Sequence, residues 1–275
     1  MVPEPLTVRT QSGLASLTWL LGKLVLVVGV AVGLKVVWPG FDKDPLRLEL
    51  PELVLLAAAL GLVADHWVRV EGRHLADLGY PPGLRGLLPG LGAGLGGVVL
   101  TTGVGWWAGW SIPRPGFTWP EPSGLVMLGL LALATAVLEE TFFRGIVPGI
   151  LGRTMTWPRT TIASATLFAA THFLAPAGRS VPDIVSTFAG LWATGITLGV
   201  AARKRGLWFP VGVHACWIVA ITASARYNPM VFLPEGFLWT GNGFPPRGLL
   251  GILAMVILLA LLGRSRSSGG QVAAG

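Results

Sequence analysis

From Gly124 to Leu138 the sequence reads GLVMLGLLALATAVL, without a charge and almost without a polar side chain, and similar runs recur along the chain. A bilayer offers no water to the backbone, so a single spanning segment must bond its own N–H and C=O groups as a helix, using about 20 apolar residues. Apolar runs bounded by Pro, Gly and charge place spans near residues 14–38, 51–67, 84–111, 122–144, 159–177, 182–202, 206–225 and 247–263. The expected fold is therefore all-α: a polytopic transmembrane helical bundle of about eight spans. Composition agrees, because charged residues make up only 12% of the 275, against roughly 25% in a soluble domain. The spans and short loops use up the length, so no separate soluble domain is expected. The chain divides into a disordered tail (1–13), N-terminal transmembrane helices (14–121), a core (122–225), a loop and last helix (226–263), and a second disordered tail (264–275).

The net charge of +7 is spread singly over loops and forms no basic stripe with interleaved aromatics, so no nucleic-acid partner is expected. With eight spans both termini share one side. Arg9, Arg69, Arg73, Arg85, Arg153, Arg159, Arg203, Lys204, Arg205, Arg264 and Arg266 on that side outnumber Lys35, Lys43, Arg47, Arg114, Arg179, Arg226 and Arg247 opposite, which places the termini in the cytoplasm. Lys23 and Lys35 in or beside the first run, without a small-x-small cleavage site, read as an anchor and not a removed signal peptide. Trp106, Trp107, Trp110 and Trp119 read as an interfacial belt. GAGLGG at residues 92–97 lacks a flanking strand, so the pairs Gly90/Gly94, Gly92/Gly96 and Gly195/Gly199 are read as close helix packing and not as a nucleotide loop. The single cysteine, Cys216, cannot form an internal disulfide, lies about 200° around the helix from His214, and reads as a small buried residue. No serine sits in a nucleophile-elbow setting.

Against this background LEETFFRG, residues 138–145, places two carboxylates and a guanidinium in the fourth span. Intramembrane charges cost a few kcal/mol, face the bundle interior and mark functional sites. Residues four apart share a helix face, so Glu140 pairs with Arg144 and Glu139 is the free carboxylate. Ala132, Thr135 and Ala136 on the Glu139 face let another helix approach closely. Of the four histidines, His172 and His214 lie inside apolar runs, whereas His66 and His74 lie in or near a charged loop and are expected to be solvated. At about 1.5 Å per helical residue, His172, His214 and Glu139 fall at depths of roughly 20, 12 and 8 Å from the cytoplasmic side. They occupy overlapping layers and are natural partners of one another. A buried glutamate beside a histidine can hold and deprotonate water, while a second histidine donates to a tetrahedral oxyanion. Glu139, His172 and His214 could instead ligate Zn²⁺ with one position open for water. The residues alone leave both open.

EETFFR, followed by FAATH and HACWI, resembles the type II CAAX prenyl endopeptidase family, the CPBP or Abi intramembrane proteases, over about residues 122–225. Its E-E-x-x-x-R motif corresponds to Glu139, Glu140 and Arg144, and its F-x-x-x-H motif to Phe168 and His172. The resemblance implies that Glu139 and His172 activate water, that Glu140 and Arg144 brace the site beside Phe168, and that His214 stabilises the oxyanion. Ile218 departs from the pattern, since most members carry Asn there as a second oxyanion donor, and losing one such donor costs about 10²–10³ in rate. The implied function is endoproteolysis of a membrane-associated protein or peptide within the lipid bilayer; the high Gly, Ala and Arg usage separately points to a bacterial plasma membrane. A weak or inactive member acting in bacteriocin immunity or as a partner-binding membrane protein is the alternative. A proton-coupled carrier is disfavoured by the lack of an evident inverted repeat.

Overall fold

The computed structural model describes residues 15–23, 45–173 and 180–264, with backbone alone over 45–52. Both expected tails lie almost wholly outside the described residues, as do most of the first expected span and the cationic loop positions Lys35, Lys43 and Arg179. Helical residues 15–23 (α1) are followed by α2 (Pro45–Asp65), which runs on as a π-helical turn over His66–Val70. α3 (Leu87–Trp107) leads to β1 (Ser111–Pro113), and α4 (Pro122–Glu140) continues through a second π-helical turn, Thr141–Ile146, into α5 (Val147–Leu151). α6 (Trp157–Thr171), α7 (Val181–Arg205) and α8 (Trp208–Tyr227) follow, then β2 (Met230–Phe232), α9 (Phe237–Thr240) and α10 (Leu249–Arg264).

Five segments are long and apolar enough to cross a bilayer: Leu53–Val70, Leu87–Trp107, Pro122–Leu151, Val181–Arg205 and Trp208–Tyr227. Eight spans are thus not what the described residues show. The fifth expected span is a helix of 15 residues, and the last is one of 16; at 1.5 Å per residue these reach about 22 and 24 Å, short of a core about 30 Å thick. The fourth differs in the other direction. Pro148 has no N–H to return to the Arg144 carbonyl and its ring crowds that oxygen, which would break a regular helix; the wider turn at Thr141–Ile146 lets the chain continue to Leu151 instead.

α8 is the central helix, packed against α3 and α4, and α7 packs on α6 and α10. Close approach follows from the small residues. Gly90, Gly94 and Gly97 face Phe209, Val213 and Trp217 of α8, while Gly195 and Gly199 bring α7 onto Ala165 and Thr161 of α6. Gly92 and Gly96 have open space beside them, so that expected pair does not pack. A Cβ at position 94 would lie 2.7 Å from the Val213 carbonyl oxygen and 2.8 Å from the Cys216 Cβ. Gly94→Ala is accordingly expected to lower stability by about 1–3 kcal/mol through forced separation of α3 and α8. Thermal unfolding in detergent checks this; an unshifted midpoint would count against the tight contact.

At one end of the bundle β1 and β2 pair antiparallel, with Ile112 opposite Val231. Trp110 stacks on Trp239 there, ring centroids 5.0 Å apart, so it is a packing residue and departs from the expected belt. Trp106, Trp107 and Trp119 are exposed, as a belt requires. His66 also departs from expectation. It is fully buried, its Nε2 lies 2.8 Å from Ser16 Oγ, and Ser16 in turn donates to Glu71, which also binds Arg153. This polar knot ties α1, the end of α2 and the turn after α5 together. Its components are too far apart in sequence for periodicity to join them.

Candidate active site

The π-helical turn after Glu140 carries Thr141–Ile146, all six buried, and fixes where α4 directs its charges. Because the helix extends to Leu151, Glu139 sits twelve residues from its end, about 18 Å along the axis, against roughly 8 Å in the shorter expected span. Ala132 and Ala136, on the same face, are buried.

Glu140 is fully buried, and its Oε1 accepts from Arg144 Nη1 at 3.0 Å and from His214 Nδ1 at 2.7 Å. A carboxylate oxygen only accepts, so the Nδ1 of His214 carries a proton. Its other nitrogen, Nε2, stands 3.7 Å from Glu139 Oε2, beyond hydrogen-bond reach. Glu139 keeps 25% of its side chain exposed, while its Oε2 has no hydrogen-bond partner among the described residues. Glu140 thus holds both Arg144 and His214 through Oε1, its Oε2 being buried without a hydrogen-bond partner among the described residues, while Glu139 faces His214 Nε2 without a hydrogen bond to it.

Phe168 fills the centre. Its ring lies 4.4 Å beneath the Arg144 guanidinium carbon, a cation–π contact, with centroids 4.8 Å from His172 and 5.8 Å from His214. His172, just past the end of α6, has Nδ1 2.8 Å from the Phe168 carbonyl. That oxygen too can only accept, so the proton is on Nδ1; in the neutral ring Nε2 is then a free acceptor. His172 and His214 thus both lie against the Phe168 ring, and His214 Nε2 in turn faces Glu139. Residues 121–220 match the Rce1-like type II CAAX prenyl endopeptidase family. No curated protein and no solved structure matches the chain.

The Rce1-like segment holds Glu139, Glu140, Arg144, Phe168, His172, His214 and Ile218. The match supports a protease, and the apolar helices make this an integral membrane protein. Within the Rce1-like segment the residues do not fit a zinc site as they stand: no group of three or more His, Cys, Asp and Glu side chains could hold a metal among the described residues. One oxygen of Glu140 already accepts two bonds, and no ion pair joins His172 to either glutamate there. Ile218, one turn after His214, packs with Leu133 and Val137 against Ala136 and Ala215, so apolar contact occupies that position. Trp217, the other nearby donor, faces Gly97 on α3 instead of the Glu–His cluster.

Tyr80 is a site neighbour that sequence reasoning missed. Thr141 Oγ1 donates to the Val137 carbonyl, leaving Tyr80 as the donor to Thr141 at 2.7 Å. Burial pushes the Tyr80 hydroxyl up to about 12, Glu140's charge adding to the effect and the Thr141 bond opposing it, so the phenol stays protonated and remains a donor. Its loop, LGYPP, carries no charge pattern; only the positive φ of Gly79 and the Gly79 carbonyl accepting from Leu207 bring it over the site.

Proposed function

We propose that the chain is an intramembrane endopeptidase that hydrolyses a peptide bond of a membrane-associated protein or peptide with water activated by Glu139 and His172. The supporting observation is the unengaged Glu139 carboxylate at mid-helix beside a histidine whose other nitrogen is held by the fully buried Glu140. Water between Glu139 and the free His172 Nε2 gives one proton to Glu139 as its oxygen attacks the carbonyl carbon. The C–O bond forms and the carbonyl π pair moves to oxygen. A proton on His214 Nε2, facing Glu139, donates to that oxyanion. Collapse breaks the C–N bond, and Glu139 passes its proton to the departing nitrogen. Glu140 and Arg144 hold His214 with Nδ1 inward throughout. With the Nε2 proton counted, Glu139, Glu140, Arg144 and His214 sum to zero charge, which a low-dielectric interior favours.

No step in this sequence calls on a metal. His172→Ala is expected to abolish cleavage in the purified, lipid-reconstituted protein, whereas chelation of the parent leaves turnover unchanged. Turnover that stops on chelation and returns with Zn²⁺ would replace this mechanism with a metal-dependent one. Arg203, Lys204 and Arg205 at the end of α7 put that end of the helix in the cytoplasm, in a bacterial plasma membrane.

The alternative, a weak or inactive relative serving in immunity or partner binding, draws on Ile218. An Asn in its place would restore a donor one turn from His214, so Ile218→Asn is expected to raise kcat by about 10²-fold with KM little changed. Unchanged turnover would mean that a different group supplies the second donor.

A further inference from the structure

A cavity of about 260 Å³ lies between the Thr141–Ile146 turn, α6 and α7, with Arg144 in its wall and neither His214 nor either glutamate of the site among its lining residues. Small residues shape its wall, among them Ser164, Gly195 and Gly199. Arg144 closes the inner end with 2% of its side chain exposed. Arg203, exposed, stands at the mouth with its guanidinium carbon 4.5 Å over the ring of Trp157. No acidic residue lines the cavity.

Arg144 uses Nη1 on Glu140, and its Nη2 is buried without a hydrogen-bond partner among the described residues. An unpaired buried donor costs about 1–3 kcal/mol, more on a charged group. Two guanidiniums lining one cavity, one buried and one exposed, suit an anion that presents oxygens in several directions, as a tetrahedral phosphate does and a planar carboxylate does not. Lys204 and Arg205 follow Arg203 at the same end of α7, and basic pockets between membrane helices near the cytoplasmic surface suit phosphate headgroups.

We propose that this cavity binds a phosphate group between Arg144 and Arg203. By engaging Nη2 it would hold the guanidinium whose Nη1 grips Glu140, and so steady the Glu140–His214 pair. The site is distinct from the peptide-bond chemistry, and its test reads binding, so failure of the protease reading would leave it standing.

The phosphate could come from an anionic phospholipid or from free phosphate, and one titration separates them. The full chain in detergent is titrated with short-chain phosphatidic acid, with diacylglycerol of the same chain length, and with inorganic phosphate, following the thermal midpoint. Phosphatidic acid is expected to raise the midpoint where diacylglycerol does not; a matching rise with inorganic phosphate assigns free phosphate, and its absence assigns the lipid headgroup. Arg203→Gln, at an exposed position that does not threaten the fold, is expected to weaken the apparent affinity by roughly tenfold or more, the scale of one charge-assisted contact. Arg205→Gln, at the same end but outside the cavity lining, should leave it unchanged. Equal weakening by the two variants would mean nonspecific surface charge, and no shift with either phosphate probe would equally overturn the proposal.

Discussion

Glu139→Gln is expected to abolish peptide-bond cleavage, lowering kcat by about 10²–10⁴, the usual contribution of a positioned general base, while the protein stays folded. The change keeps the size and shape of the side chain and removes its ability to take a proton. Little structure depends on the carboxylate itself: its Oε2 lacks a hydrogen-bond partner among the described residues, and the His214 Nε2 that faces it is 3.7 Å away. Turnover in lipid vesicles together with the thermal midpoint measures both halves of the statement. Activity within a few-fold of the parent would remove Glu139 from the mechanism.

Arg144→Ala is expected to have the largest effect on stability. The pair it breaks has side-chain exposures of 2% and 0%, and removing one partner of a buried pair costs about 3–5 kcal/mol because the other charge is left uncompensated. The contact with the Phe168 ring at 4.4 Å is lost with it, as is the group that shares Glu140 Oε1 with His214. Activity should therefore fall along with the thermal midpoint. Pairing Arg144→Ala with Glu140→Gln should cost less than the sum of the two single changes, the mark of a direct interaction. A single variant as stable as the parent would contradict the bracing role.

Much of this site was legible because membrane chemistry leaves ionisable groups few places to go. The spacing of Glu140 and Arg144 predicts the pair seen in space, and the small residues Ala132 and Ala136 predict the buried face. The bond from His214 to Glu140 is not readable in the sequence, since it joins residues 74 apart and the spacing of Glu140 and Arg144 leaves Glu139 as the expected partner. Phe168 entered through resemblance alone, because one phenylalanine in an apolar helix carries no sign that a guanidinium will sit on it. Span boundaries failed where local geometry overrode hydropathy: a π-helical turn carried α4 past Arg144 to Leu151, and α6 ended at Thr171 although apolar residues continue. His66 misled because a charged neighbourhood in sequence became a buried knot with Ser16 and Glu71 once α1 folded against α2.

The central claim is that Glu139 cleaves peptide bonds in the membrane, and protein termini report this most directly. Mass spectrometry would compare the termini in membranes of the natural host expressing either the parent or Glu139→Gln at matched levels. The account expects a defined set of termini that is present with the parent and lost with the variant, and those termini would name the substrate. Identical termini in the two membranes, with both proteins folded and at equal abundance, would contradict it.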